Sequence, residues 1–400
     1  MGHHRGTRAG TATHGRTRAL AVAVGLIAAL AVACGPPPDP SGPTFGPGHP
    51  ITLGDGGVPG NASARSASTS ADGVWTAFIS AATNLVAGDT NGLADLFLRN
   101  NASGVVTRIA TDAGDGPTMS RNGRYVGFEQ VEPYGTYGVY DRLTGTTDTW
   151  SVIGDVNAPS VTDDGTRAVH GLGGTWGLST GRCVVRDLVA DTSTDCPPGG
   201  PGYGTASLLG VSGNARFAFY HWNDQSGGGT SGHFVLDVLT GDRRPVSGSF
   251  FGIGVQHVVA DDGSTVLGLG FGETFPALIH DVDAGTSTLF PGAPDRNVAP
   301  IGFSPDGRYA AIATDSSLLD PDDTNDTVDV YLLDRTDDSV TRVSTSLQTG
   351  AQLTYGALYC GRGQGQVLDG GRVCILGLDE ISVDGTNGGW ADAYLTAPRS

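Results

Sequence analysis

The stretch Phe303–Ala313, "FSPDGRYAAIA", decides how this chain folds. A Pro-Asp-Gly turn followed by an apolar run is a hairpin signal. The signal returns along the chain. It stands at 69–79 ("TSADGVWTAFI"), 119–129 ("MSRNGRYVGFE"), 161–171 ("VTDDGTRAVHG"), 211–221 ("VSGNARFAFYH"), 259–269 ("VADDGSTVLGL") and 367–377 ("VLDGGRVCILG"). Aligned on Gly73, Gly123, Gly165, Gly213, Gly263, Gly307 and Gly371, the spacings are 50, 42, 48, 50, 44 and 64. A period in this range suits propeller blades and is too long for most solenoid repeats.

Each unit reads as four strands. Around the opening stretch these are "VAPIGFS", "RYAAIAT", "DVYLLDR" and "SVTRVST"; the first unit matches with "SARSASTS", "VWTAFIS", "DLFLRN" and "VVTRIAT". Short polar turns such as "LTG" at 143–145 and 239–241 join strands three and four. One such sheet cannot cover its own faces, but sheets packed radially cover each other. The expectation is an all-β, seven-bladed β-propeller of four-stranded antiparallel blades over residues 50–400, with six or eight blades as alternatives. The last unit stops at its third strand, "ADAYLTAPRS", so "PITLGD" (Pro50–Asp55) is expected to complete it as the outer strand. Phe78, Phe128, Phe217 and Phe219 are expected between sheets.

Composition agrees. The 400 residues include 64 Gly and 22 Pro, only 16% are charged, and there is no lysine. That is poor material for long helices. Without the four arginines that precede residue 34, 19 basic residues face 41 acidic ones, a formal charge of −22. Such a surface repels phosphate backbones, which excludes nucleic acid as a partner.

Residues 1–33 read as an export signal: arginines, then "ALAVAVGLIAALAVA", then Cys34. "AVAC" resembles the lipobox of bacterial lipoproteins, with Ala31 where that family prefers leucine; the resemblance implies a diacylglyceryl group on Cys34. Ordinary cleavage and secretion is the alternative. Residues 34–49 are Pro/Gly-rich, a tether that cannot pack. The expected location is the extracytoplasmic side of a membrane, held by the lipid alone. Four further cysteines in an exported chain suggest disulfides, and local pairing gives Cys183–Cys196 and Cys360–Cys374.

"SPDGRYAAIA" with "DVYLLDRTDDSVTRVS", and "NLVAGDTNGLADLFLRN" (84–100), resemble the PD40, or TolB-type WD40-like, repeat. The resemblance covers residues 51–400 and implies a propeller in the cell envelope. The N-terminal α/β domain of TolB is missing, so its partners are not carried over.

Chemistry is sparse. "GLSTG" (177–181) matches a nucleophile elbow, but lies between a glycine-rich loop and a strand, so Ser179 reads as a loop residue. Three acidic loops repeat Asp and Asn at alternate positions, and Asp89, Asn91, Asp95, Asp323, Asn325 and Asp329 are candidate calcium ligands. Turn chemistry is the preferred reading of the same residues. No other cofactor is expected. The connections between strands two and three are longer and richer than the opposite turns. They hold Glu132, Tyr134, Tyr137, Trp176, His221, Trp222, Asp224, Glu273 and Phe275, candidates for binding an envelope protein, peptide or glycan. The function expected is a non-catalytic binding or scaffolding module, with a polysaccharide lyase or hydrolase as the competing class.

Overall fold

The structure is a computed structural model. It describes residues 49–400 apart from 115, 132–134, 152–157, 173–181, 199–202, 227–230, 248–256, 271–275, 293–297, 325–326, 346–357, 360–366, 378–391 and 397–400. All described residues belong to the compact unit Pro40–Ser400. Among them there is no α-helix.

The chain enters with β1 (His49–Pro50). The first sheet is β2 (Ala64–Thr69), β3 (Trp75–Ser80), β4 (Asp95–Asn100) and β5 (Val106–Ala110); the second is β6 (Thr118–Met119), β7 (Tyr125–Gln130), β8 (Thr136–Asp141) and β9 (Thr146–Ser151). An eight-stranded sheet follows. It holds β10 (Ser160–Val161), β11 (Arg167–Leu172), β12 (Arg182–Asp187) and β13 (Thr192–Asp195), then β14 (Gly204–Val211), β15 (Phe217–Asp224), β16 (Gly232–Asp237) and β17 (Arg243–Val246). Next come β18 (Val258–Val259), β19 (Thr265–Leu269), β20 (Ala277–Asp281) and β21 (Thr286–Leu289), then β22 (Ala299–Phe303), β23 (Tyr309–Thr314), β24 (Asp329–Asp334) and β25 (Ser339–Arg342). The last sheet is β26 (Leu358–Tyr359), β27 (Cys374–Gly377) and β28 (Asp392–Leu395), with β1 on its outer edge. All pairings within these sheets are antiparallel.

The recurring turn has one mechanism. In the opening stretch Ser304 Oγ donates to Asp306 Oδ1 (2.5 Å) and accepts from the Tyr309 amide (2.9 Å), while Asp306 Oδ1 accepts from the Arg308 amide. Ser70–Asp72, Ser120–Asn122, Thr162–Asp164 and Ser212–Asn214 repeat the hydroxyl-to-Asx bond. The side-chain bonds add to backbone ones within the same turn, such as the Gly307 amide to Ser304 O, so each turn is fixed by its own few residues. The residue after the Asx takes positive φ. It is glycine except in the fourth unit, where Ala215 (φ 56°) holds that place. The alignment on Gly213 is therefore two residues early: Gly213 stands where proline stands in Ser-Pro-Asp-Gly. A second recurrence is an ion pair from the start of strand two to the end of strand three. Arg124–Asp141, Arg167–Asp187, Arg216–Asp237 and Arg308–Asp334 lie 2.6 to 3.1 Å apart.

Apolar seams join successive sheets. Ala77, Ile79 and Leu96 meet Val126 and Phe128; Tyr137 and Trp150 meet Val161 and Ala168; Val169 and Cys183 meet Leu208 and Tyr220. Phe219 and Val235 meet Val259 and Val266; Leu267 and Phe290 meet Phe303 and Tyr331; Ala311 and Val330 meet Val373 and Ile375. Leu368, Cys374 and Leu395 of the last sheet, with Ile51, meet Phe78 and Phe97 of the first. The seams return to their start, which is the propeller arrangement. Burial on both sheet faces explains why β3 and β24 are apolar or small almost throughout, whereas the described side chains of β13 and β21 are all exposed.

Chain-end closure follows the sequence reading, with a shorter ladder. His49 pairs with Leu395 and Pro50 with Tyr394; the Ile51 amide donates to Ala393 O (2.8 Å), and the Ala393 amide to Thr52 Oγ1 (3.1 Å). Residues beyond Thr52 leave the sheet. Arg99, buried in the first unit, donates to the carbonyls of Leu53 and Gly54. Cys183 of β12 and Cys196, just past the end of β13, form a disulfide within one unit, and the Cys196 amide donates to Cys183 O. Cys374 is disulfide-bonded; Cys360, its expected partner, lies outside the described residues. Cys34 and residues 1–48 lie outside them as well.

Candidate functional site

The two ends of the ring differ. At one end lie the tight turns between strands one and two, and they bond to each other. The Ala71 amide donates to Arg121 O, the Asn122 amide to Asp163 Oδ1, the Asn214 amide to Asp261 Oδ1 and the Asp369 amide to Ala71 O. Neighbouring turns of a ring fall at hydrogen-bond distance, so short turns of uniform length can make this rim.

Arg121 crosses it. Its Nε donates to Asp261 Oδ2 (2.8 Å), Nη1 to Val367 O (2.8 Å) and Nη2 to Phe303 O (2.7 Å). These acceptors belong to the fifth, last and sixth units, and the guanidinium also lies against Gly213 of the fourth. A side chain of the second unit reaches those units only through the axis. Its side chain is 7% exposed. The Asp163 and Asp369 carboxyls are raised, in both cases first by burial, and the Arg121 charge opposes the rise. Aligned turns show the signal that sequence reasoning missed. The place after the Ser or its equivalent holds Ala71, Arg121, Asp163, Gly213, Asp261, Pro305 and Asp369: one cation in a column with three acids.

The opposite end carries the connections between strands two and three. Glu132, Tyr134, Trp176, Glu273 and Phe275, and also Ser179, lie outside the described residues. His221 is half-buried, 4.7 Å ring to ring from its cross-strand partner His233. Asp224 accepts from the Ser226 amide and hydroxyl. Two expected ligand contacts are corrected. Tyr137 has no exposed surface and packs edge-on against Trp150 and His170 in a seam. Trp222 is 6% exposed and covers Gly204, in the cluster that holds the Cys183–Cys196 disulfide. The strands run past both residues, so their rings are core. Burial lowers His170 and His233 to about 4, and the neighbouring imidazoles of His221 and His257 add to the effect at His233.

The acidic loops are also organised differently from a calcium site. Arg108, from the fourth strand, lies 3.1 Å from Asp89 and 2.9 Å from Asp95, and Asn91 Nδ2 donates to both oxygens of Asp95. In the sixth unit Arg342 lies 3.3 Å from Asp320 and 4.0 Å from Asp323 and Asp329; Tyr331 Oη donates to Asp323 and Ser344 Oγ to Asp329. Asn325 lies outside the described residues. The first loop thus turns Asp89 and Asp95 toward the chain's own Arg108, and in the sixth unit Asp323 and Asp329 accept from the hydroxyls of Tyr331 and Ser344. Among the described residues no group of three His, Cys, Asp or Glu side chains is placed to hold a metal.

No protein-family model matches the chain, and no curated protein is significantly similar to it. Solved structures do match. An oligogalacturonate lyase in complex with manganese aligns at a TM-score of 0.50 and 14% identity, over 88% of this chain and 97% of that one. The Cps50 (Swd1) β-propeller domain of Myceliophteria thermophila aligns at 0.50 and 10% identity, over 88% and 100%. The fold is a β-propeller. TolB of Acinetobacter baumannii aligns at 0.37 and 14% identity, over 56% of this chain; the chain spans only 53% of TolB's length. At 10 to 14% identity, the lyase and Cps50 alignments speak for the fold alone.

Proposed function

We propose that the chain is an exported, lipid-anchored, seven-bladed propeller that binds an envelope protein, peptide or glycan through the face opposite its interlocked turns. The blade count treats the eight-stranded sheet as two units meeting at the Arg182–Ser207 pairing, beside five four-stranded sheets. Seven apolar seams, each between consecutive units, support it. The anchor rests on Cys34 after small residues and on the Pro/Gly-rich stretch behind it.

The observation that carries the binding reading is the contrast between the two ends. The turns at one end are bonded to one another, with a buried arginine across the axis, which makes that end short and uniform. Ligands of rigid scaffolds bind at longer, chemically richer loops, and those lie at the other end. The test is capture from solubilised membranes and on immobilised glycans. Glu132→Ala combined with Trp176→Ala is expected to abolish capture, and Arg142→Ala, beside the 3–4 turn, to leave it intact. Equal loss in both variants refutes the assignment of the face. Turnover of an oligogalacturonate, the substrate in the lyase's name, would replace binding by catalysis. Cys34→Ser is expected to move the protein from the membrane to the soluble fraction; unchanged membrane association overturns the anchor.

A further inference from the structure

We infer that the axis at the turn end is a receptor for one guanidinium group, filled from within by Arg121, and that this plug closes the channel there and ties the ring across its diameter. The inference stands apart from the proposed function, since it needs no external partner.

Among the described residues three acceptors define the receptor: one carboxylate oxygen of Asp261 and the main-chain carbonyls of Phe303 and Val367, 2.7 to 2.8 Å from three different nitrogens of Arg121. Acceptors from three units, each meeting a separate N–H, match a planar fork of fixed donors. An ammonium is a point charge on a flexible stem and cannot reproduce that spread. The other oxygen of Asp261 is fixed by the Asn214 amide, and Asn214 Nδ2 bonds Asp261 O, so the carboxylate is aimed before the arginine arrives. Gly213 gives the guanidinium room: a Cβ there would lie 2.2 Å from Nε. These partners are 140, 182 and 246 residues from Arg121 in sequence. Breaking the contact therefore releases units on opposite sides of the ring together. Seams tie each unit only to its neighbours, whereas this group ties the second unit to the fifth, sixth and last.

The experiment is chemical rescue. Arg121→Ala is expected to melt about 5 °C or more below the parent, because it strands the Asp261 carboxylate, 9% exposed, and two carbonyls at the axis. Methylguanidinium at millimolar concentration should then raise the melting temperature of Arg121→Ala. It should not raise that of the parent or of Arg308→Ala, which loses an exposed arginine of the repeat, and methylammonium should do less. A folded Arg121→Ala that melts with the parent, or that gains nothing from methylguanidinium, overturns the inference. If Arg121→Ala does not fold, Arg121→Lys decides: a melting temperature below the parent supports a guanidinium receptor, and one equal to it refutes the geometry.

Discussion

Ile51→Ala tests whether the two chain ends hold the ring together. The ladder there is short, with His49 and Pro50 on β28, so a frayed end would cost little. Ile51 is the reason to expect otherwise. It has no exposed surface and packs in the seam of Phe78, Leu85, Phe97, Leu368 and Leu395, which draws on the first and last units. Removing its three outer carbons loses about 2.5 kcal/mol of transfer free energy. An incompletely collapsed cavity brings the total to about 3 to 4 kcal/mol. Against a whole-domain stability of about 5 to 15 kcal/mol, this is a large fraction. Urea unfolding read by tryptophan fluorescence should show the midpoint falling with an unchanged slope. Val58→Ala, at a residue 48% exposed, is the control and should stay within about 0.5 kcal/mol of the parent. An Ile51→Ala loss below about 1 kcal/mol means that the N-terminal strand is not holding the ring, and refutes the reasoning.

Other outcomes follow from single sites. Gly165→Ala places a Cβ at φ 71° and 2.2 Å from the Tyr125 ring, so it should cost at least about 2 kcal/mol in a denaturant titration, well beyond the cost of positive φ alone. Arg108→Ala leaves the buried Asp89 and Asp95 carboxylates without their cation and should destabilise by about 3 kcal/mol, measured the same way; a loss under about 1 kcal/mol shows that the loop is held by its turns alone. His170 is depressed to about 4 by burial, below its unfolded value of about 6.5. The unfolded chain therefore binds the proton first. Stability from this group is complete above about pH 6.5 and is lost as pH falls toward 4, by about 2 kcal/mol between pH 7 and pH 5. His170→Phe should remove that part of the pH dependence, and an unchanged pH profile rules it out.

Local signals told the sequence reader much of this fold. The Ser-x-Asp-Gly turn is held by its own side chains, so it is legible wherever it occurs. Its period marks four-stranded units, the missing last strand points to the N-terminus, and Cys183 and Cys196 flank one hairpin. The unit with Ala215 was misaligned because positive φ, not glycine as such, marks the position. Tertiary structure decided the rest. Tyr137 and Trp222 look like loop aromatics until the strands are seen to run through them into the seams. The calcium-like loops look like donor sets until Arg108 and Arg342 arrive from the fourth strands. Arg121 is an ordinary turn residue in sequence. It meets Asp261 and the carbonyls of Phe303 and Val367 only because closing the ring brings distant turns to one axis. Periodicity records the contacts each unit makes with itself and its neighbours. What meets at the centre depends on all the units together.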